Sequence, residues 1–164
     1  MTENKFKIEP TRPEDLPTLL ALYEHARAFM AENGNPTQWI NGYPQESLLQ
    51  ADMAAGRSYV CRADGKIVGT FMYFEGIEPT YRKIDGAWTN DRPYGVVHRI
   101  TSDGSVKGTG GACIDWALER CGNLRIDTHR NNHPMQNLLK KKGFSYCGVV
   151  WMEDGSERIA FQKG

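Results

Sequence analysis

The chain has 164 residues, and its 20 basic and 20 acidic residues give a formal net charge of zero. This length favours a single domain over residues 1–164, long enough to bury a core without disulfide or metal cross-links. The balanced charge argues against a nucleic-acid partner, because polyanion binding needs a basic excess.

The sequence also argues against a membrane partner and against export. No stretch has the length and apolar character of a membrane span, and residues 1–5 are polar, unlike a signal segment. None of the four cysteines belongs to a C-x-x-C pair. We therefore expect a cytoplasmic protein with free thiols.

The N-terminal half predicts a strand, two helices and a hairpin. Apolar residues alternate over residues 6–8, which indicates a strand, and then recur at helical spacing from Leu16 to Met30. A short second helix is predicted over residues 45–55. Two further strands follow, over residues 58–62 and 66–74, joined by a tight turn at Asp64-Gly65.

The C-terminal half predicts four strands and two helices, whereas residues 76–93 show no regular pattern. The strands are expected over residues 94–101, 124–129, 146–152 and 158–162. A helix ending at Gly122 and a helix from Asn132 to Gly143 lie between them. The order implies an α/β (α+β) fold, with a mixed, mostly antiparallel sheet of about seven strands, one central parallel β-α-β unit and flanking helices.

The parallel unit contains a glycine-rich turn, Lys107-Gly108-Thr109-Gly110-Gly111-Ala112, which follows a polar loop and opens a helix. Glycines permit close approach of a ligand, and the free N–H groups of a helix start favour an anion such as pyrophosphate. A P-loop would end in Gly-Lys-Ser/Thr, which is absent here. A dinucleotide fingerprint would need a third glycine where Cys113 stands. A turn that only shortens the strand-to-helix connection is the structural alternative.

This turn resembles the signature of the GNAT superfamily of acyl-CoA-dependent N-acyltransferases, Arg/Gln-x-x-Gly-x-Gly/Ala, with Lys107 at the first position. A second family element is an Asn that opens the next helix, an apolar residue three positions later and a closing Gly-Phe. Asn132, Met135 and Gly143-Phe144 match it. The resemblance extends over the whole chain, including the order of elements and the final hairpin.

The resemblance implies that acetyl-CoA is the co-substrate, without a metal. Its pantetheine arm would pair with a strand that splays from its parallel neighbour, and its pyrophosphate would lie on the glycine-rich turn. The residues implied are Ile100, Thr101, Val106, Lys107, Gly108, Thr109, Gly110, Gly111, Ala112 and Asn132. His129 and His133 lack further ligands at the spacing of a zinc site, which agrees with the absence of a metal.

Catalytic groups are harder to identify. The family often places a Tyr, the acid for the departing thiolate, where this chain has Leu139. Tyr146 or water would then protonate the thiolate instead. His98 suits a base near pH 7, and Glu75 or Tyr94 would relay a proton through water. A packed strand histidine is the alternative for His98.

The family often binds its acceptor beside the loop between the first two helices. Polar and aromatic side chains in that loop suit an amine, by hydrogen bonds and cation–π contact. They are Asn35, Gln38, Trp39 and Tyr43. The alternative is a loop in which Trp39 only closes the edge of the core.

The sequence therefore predicts transfer of an acetyl group to a primary amine, either a small molecule or a peptide. A GNAT-like module that binds coenzyme A without turnover is the alternative, and Leu139 is the residue that favours it. Edge strands in the final hairpin suggest a homodimer.

Overall fold

The computed structural model describes residues 5–164, so most of the polar start, residues 1–4, lies outside the described part. Four helices are present: α1 (Leu16–Glu32), α2 (Glu46–Ala54), α3 (Thr109–Cys121) and α4 (His133–Lys141). The strands are β1 (Phe6–Pro10), β2 (Ser58–Ala63), β3 (Lys66–Glu75), β4 (Asp85–Gly86), β5 (Gly95–Ser102), β6 (Leu124–Thr128), β7 (Ser145–Trp151) and β8 (Glu157–Lys163).

All eight strands form one sheet in the order β1-β2-β3-β5-β6-β8-β7-β4. Only the contact between β5 and β6 is parallel. The predicted mixed, mostly antiparallel sheet is thus confirmed. The strand that sequence analysis missed is β4, which has two residues, too few to show an alternating pattern.

Neighbouring residues of a strand point to opposite sides of the sheet, so both faces carry apolar side chains, and helices cover both. Val97 faces the side covered by α3, where Ile114 and Leu139 are fully buried. Val60 faces the other side, against Leu19 of α1. The turn between β2 and β3 has the expected form, with positive φ at both Asp64 and Gly65.

The segment between β3 and β5 covers the rest of the second face. Tyr81, which is 1% exposed, packs there with Val96 and Ala160. Buried amides fasten this segment at the start of β5: Asn123 Nδ2 donates to the carbonyls of Arg92 and Pro93 at 3.2 and 3.1 Å. A segment without a sequence pattern is therefore held firmly against the sheet.

The final hairpin offers less free edge than we expected. β8 lies inside the sheet between β6 and β7, and β4 pairs with β7 at Gly148 and Val149. The homodimer stays a prediction. All four cysteines are free, as expected, and three of them are buried. No helix within residues 5–164 is long and apolar enough to cross a membrane.

Candidate functional site

The site begins where β5 and β6 part. Their parallel pairing consists of Gly95 with Leu124 and Val96 with Arg125. Beyond this point β6 stays with β8 as far as Thr128, and β5 stays with β3 as far as Ser102. The splay expected from the resemblance is confirmed. It leaves backbone groups along one edge of β5 without a neighbouring strand.

A β-bulge at Arg99 redirects β5 just after the strands part. Two residues of β5, Arg99 and Ile100, lie opposite one residue of β3, between the pairs Met72–His98 and Thr70–Thr101. Arg99 has φ +53°, which is unusual for a residue with a side chain. Such a conformation persists only where its surroundings enforce it.

The enforcing contacts come from both helices of the second face. The Arg99 guanidinium donates to the Asp52 carboxylate of α2 at 2.7 to 3.0 Å, and both side chains are about nine-tenths buried. The Tyr23 hydroxyl of α1 donates to the Arg99 carbonyl at 2.6 Å. Burial raises the pKa of Tyr23, so this hydroxyl keeps its proton. Sequence analysis missed this network.

A cavity of about 470 Å³ opens alongside the end of β5. Ile100, Thr101, Gly110 and Asn132 line it, which brings together residues predicted from two separate motifs. The second half of α1 forms the opposite wall, a contribution that the sequence did not indicate. The α1 side chains on this wall include His25, Ala26, Phe29 and Met30.

The glycine-rich turn has the form of an anion site. Gly108 adopts φ +90° directly before α3, and Thr109 turns inward, its Oγ1 donating to the Val106 carbonyl at 2.8 Å. Lys107 is exposed beside it. The N–H groups of the first helical turn have no partner within the helix. They are therefore available to a negatively charged ligand.

Gly110 also has a packing role. A Cβ atom added there would lie 3.3 Å from Leu138 Cδ2 of α4. The helices α3 and α4 thus approach each other closely beside the cavity. Close packing of the two helices thus explains in part why a glycine stands at this position, although Gly110 also lines the cavity.

Asn132 caps α4: its Oδ1 accepts from the Met135 N–H at 3.2 Å. Its Nδ2 donates to Gln38 Oε1 at 3.1 Å. The loop between α1 and α2 is therefore fastened to the start of α4. The Arg158 guanidinium also donates to the Gln38 carbonyl, at 2.9 Å.

The four residues predicted in this loop have different surroundings. Asn35 lines the cavity and is 3% exposed. Trp39 packs on Tyr23 with ring centroids 5.5 Å apart, so closing the edge of the core is at least one of its roles. The Tyr43 hydroxyl accepts from Arg99 at 3.1 Å and so belongs to the network around the bulge.

His98 lies on the second face of the sheet, where the strands part. Its Nε2 is 3.0 Å from Glu78 Oε2, and its Nδ1 is 3.8 Å from Asp127 Oδ2. The Tyr81 hydroxyl donates to the same Asp127 oxygen at 2.5 Å. Sequence analysis did not identify Glu78, Tyr81 or Asp127 as neighbours of His98.

The carboxylates of Glu78 and Asp127 have different neighbours. Burial opposes ionisation of Glu78, but His98 and the N–H and hydroxyl of Thr80 outweigh it, and the pKa of Glu78 is lowered. Burial and the charge of Asp127 raise the pKa of Tyr81, so its hydroxyl remains a donor. The cluster therefore presents two carboxylate groups to one imidazole.

The other catalytic candidates lie apart from His98. Glu75 is exposed and, next to Phe74 on β3, points to the opposite face of the sheet. Tyr94 supports the cluster only indirectly, since its hydroxyl accepts from the Glu78 backbone N–H at 3.0 Å. Tyr146 is 60% exposed and packs edge-on against Phe161. Leu139, at the position of the family acid, is a fully buried core residue.

The described residues contain no group of three His, Cys, Asp or Glu side chains arranged to hold a metal ion. His129 serves the loop between α1 and α2: its Nε2 is 3.1 Å from Thr37 Oγ1, and its Nδ1 accepts from the Asn131 N–H at 3.0 Å. Burial and the nearby Arg158 and Arg130 lower the pKa of His129. This histidine is therefore held in its neutral form.

Comparison with solved structures identifies the family. A GNAT-family acetyltransferase from Streptococcus agalactiae is 32% identical and matches 96% of this chain and 94% of its own, with a TM-score of 0.87. The chain belongs to the GNAT family of acetyltransferases.

More distant structures share the fold. A putative acetyltransferase from Staphylococcus aureus is 24% identical over 96% of this chain and 97% of its own, with a TM-score of 0.72. A putative acetyltransferase from Salmonella typhimurium, solved with its cofactor acetyl-CoA, is 16% identical over 98% of this chain and 94% of its own, with a TM-score of 0.62. No family model and no curated protein matches the sequence.

The buried pair at the bulge yields a stability prediction. Asp52→Ala leaves the Arg99 guanidinium buried without its carboxylate, so the free energy of unfolding should fall by roughly 3 kcal/mol. Urea denaturation measures it. Asp115→Ala is the matched control, because Asp115 contacts Lys142 at 2.8 Å but is 53% exposed. That change should cost less than about 1 kcal/mol. Equal losses in the two variants would contradict the assignment.

Proposed function

We propose that the protein is an acetyl-CoA-dependent N-acetyltransferase that acylates a primary amine by direct attack. One observation supports this most strongly. The gap between β5 and β6 opens on one side to the cavity leading to the glycine-rich turn, and on the other side to His98. A thioester and an amine are thus able to meet where the strands part.

The cavity side suits coenzyme A. The unpaired edge of β5 at Ile100 and Thr101 offers backbone groups to the pantetheine arm in the manner of an added strand. The N–H groups at the start of α3, with Lys107 beside them, suit the pyrophosphate. The acetyl-CoA in the Salmonella structure supports the same choice of ligand for this fold.

The His98 side of the gap suits the amine. His98 Nε2 is held by Glu78, whereas Nδ1 has no hydrogen-bond partner among residues 5–164. We assign Nδ1 as the atom that takes a proton from the ammonium. Glu78 and Asp127 then stabilise the imidazolium that forms. This arrangement gives the imidazole a fixed orientation toward the gap.

The reaction requires no covalent enzyme intermediate. The amine nitrogen forms a bond to the thioester carbonyl carbon while the base holds its proton, and an N–H of β5 stabilises the developing oxyanion. The carbon–sulfur bond then breaks, the nitrogen gives up its second proton to water, and the coenzyme A thiolate leaves and takes up a proton. Since Leu139 is buried and Tyr146 lies on β7, we assign this last proton to water.

The second candidate is a module that binds coenzyme A without turnover. The observation that favours it is Leu139, because a core residue replaces the usual acid. A thiol-release assay with acetyl-CoA and a panel of amines and peptides, read also by mass spectrometry, separates the two functions. Turnover of any amine supports the enzyme, and binding without turnover supports the module.

The free cysteines suit a reducing compartment, and we place the protein in the cytoplasm.

Coenzyme A should bind without a metal. Isothermal titration calorimetry should show binding of acetyl-CoA in the presence of a chelator and no binding of NAD, since the turn lacks the third glycine of a dinucleotide site. Binding of NAD in place of coenzyme A would replace the present proposal with a dinucleotide-dependent function.

The glycine-rich turn is tested by Gly110→Val. The added branch would stand beside the N–H groups assigned to the pyrophosphate and press on Leu138, so the Kd for coenzyme A should rise by roughly tenfold or more. Gly122→Ala is the control, because it strains the left-handed residue that ends α3, at the end of the helix far from the turn. It should lower stability and keep the affinity. If folded Gly110→Val keeps its affinity for coenzyme A, Gly110 has only a packing role.

The base is tested by His98→Gln. Loss of the proton acceptor should lower kcat/KM by roughly 10²-fold or more. The Kd for acetyl-CoA should stay unchanged. Glu75→Gln is the control, since Glu75 lies on the other face of the sheet. A near-native kcat/KM in His98→Gln would make His98 a packed strand residue.

A further inference from the structure

The two carboxylates beside His98 have no basic side chain to balance them. The side chains of Glu78 and Asp127 are 15% and 8% exposed, and neither forms an ion pair with a Lys or Arg among residues 5–164. His98 supplies at most one positive charge against the two carboxylates. Buried charges in proteins are normally paired, because their removal from water is costly. The surroundings of His98 therefore carry an excess of negative charge.

Only one oxygen of the Asp127 carboxylate is engaged. Its Oδ2 accepts from the Tyr81 hydroxyl and faces His98 Nδ1, whereas Oδ1 has no hydrogen-bond partner among residues 5–164. Oδ1 is nevertheless open to solvent, since it is not one of the four unpaired side-chain atoms that the described part of the chain buries completely. An anionic oxygen that is unpaired, accessible and part of a nearly buried side chain suits contact with a cationic ligand.

Glu78 has no oxygen to spare for such a ligand. Its Oε1 accepts from the N–H and the hydroxyl of Thr80 at 3.4 and 3.1 Å, and its Oε2 is 3.0 Å from His98 Nε2. The other ring nitrogen, Nδ1, is unpaired and accessible, like Asp127 Oδ1. The parallel pairing of β5 with β6 ends before either residue, so Nδ1 and Oδ1 lie on facing strands of the gap. An ammonium group has three N–H donors, and one such group can donate to both atoms.

We propose that Asp127 selects the acceptor: its Oδ1 binds the ammonium group of a primary amine that has no carboxylate next to that group. This inference rests on the proposed function, which brings the amine to His98. The ammonium supplies positive charge to the two carboxylates. When its proton passes to His98 Nδ1, leaving the electron pair on the nitrogen, the imidazolium carries that charge instead. The total charge beside the carboxylates is thus constant during the proton transfer.

The same charges exclude one class of amine. A free amino acid has a carboxylate next to its ammonium group, so it would bring a third negative charge to Glu78 and Asp127. Like charges in a poorly solvated site repel, and such repulsion is a means of rejecting a wrong substrate. Amines without a neighbouring carboxylate, including the N-terminus of a peptide, do not meet this barrier.

Asp127→Asn tests the binding of the ammonium. The amide keeps an oxygen for the Tyr81 hydroxyl and places an NH₂ group, a donor, at the position of Oδ1. With glycinamide as the acceptor, KM should rise by roughly tenfold or more. The value of kcat should change by less than about threefold, because Asp127 stabilises the ammonium and the imidazolium alike. The KM for acetyl-CoA should not change.

Glycine and glycinamide together test the selectivity, since they differ in whether a carboxylate or a neutral amide stands next to the amine. The wild type should prefer glycinamide in kcat/KM. Asp127→Asn removes one of the two repelling carboxylates, so it should narrow this preference by roughly tenfold.

Asp15→Asn is the matched control. The Asp15 side chain is also 8% exposed, but it pairs with Arg62 at 3.1 Å. Its replacement should lower the midpoint of urea denaturation and leave the KM for glycinamide unchanged. In Asp127→Asn the urea midpoint should stay the same or rise, because the change removes a carboxylate that has no basic partner. This comparison requires no turnover.

The outcomes separate this inference from the proposed function. An unchanged KM for glycinamide in Asp127→Asn would overturn the inference. A fall of the urea midpoint as large as that of Asp15→Asn would make Asp127 a structural partner of Tyr81, which overturns it as well. Failure of the wild type to acylate any amine would instead overturn the proposed function, and the urea comparison would still test Asp127.

Discussion

The structure depends on one constraint: β5 must separate from β6 while it remains paired with β3. Two parallel residue pairs join β5 to β6, and the bulge at Arg99 then bends β5 while its pairing with β3 resumes at Thr101. The left-handed backbone at Arg99 is held by a carboxylate from α2 and a hydroxyl from α1. The bulge at which the strands part is therefore held by two helices on the same face of the sheet.

The two sides of this gap differ in their chemistry. The cavity side is mostly apolar and ends at the N–H groups of α3, which suits a long flexible ligand with an anionic group. The other side is short and charged, with the imidazole of His98 between Glu78 and Asp127. One strand supplies groups to both environments, since His98 lies on the charged side and Ile100 and Thr101 line the cavity.

Local patterns were sufficient for much of the fold and for part of the site. The turn at Gly108 and the cap at Asn132 each depend on a few neighbouring residues, and both were predictable. Arg99 and Asp52 are 47 residues apart, and no local rule pairs them. The partners of His98 were missed for the same reason, since Glu78 lies in a segment without periodicity.

The loop between α1 and α2 contacts both sides of the gap, through Gln38 at the start of α4 and Tyr43 at the bulge. The segment between β3 and β5 reaches only the His98 side. On the proposed assignment of the two sides, during gene divergence a change in the first loop would disturb the binding of co-substrate and acceptor together, whereas a change in the second would alter the binding of the acceptor alone. New acceptor preferences in descendants of this chain should therefore arise mainly by substitutions between Gly76 and Tyr94.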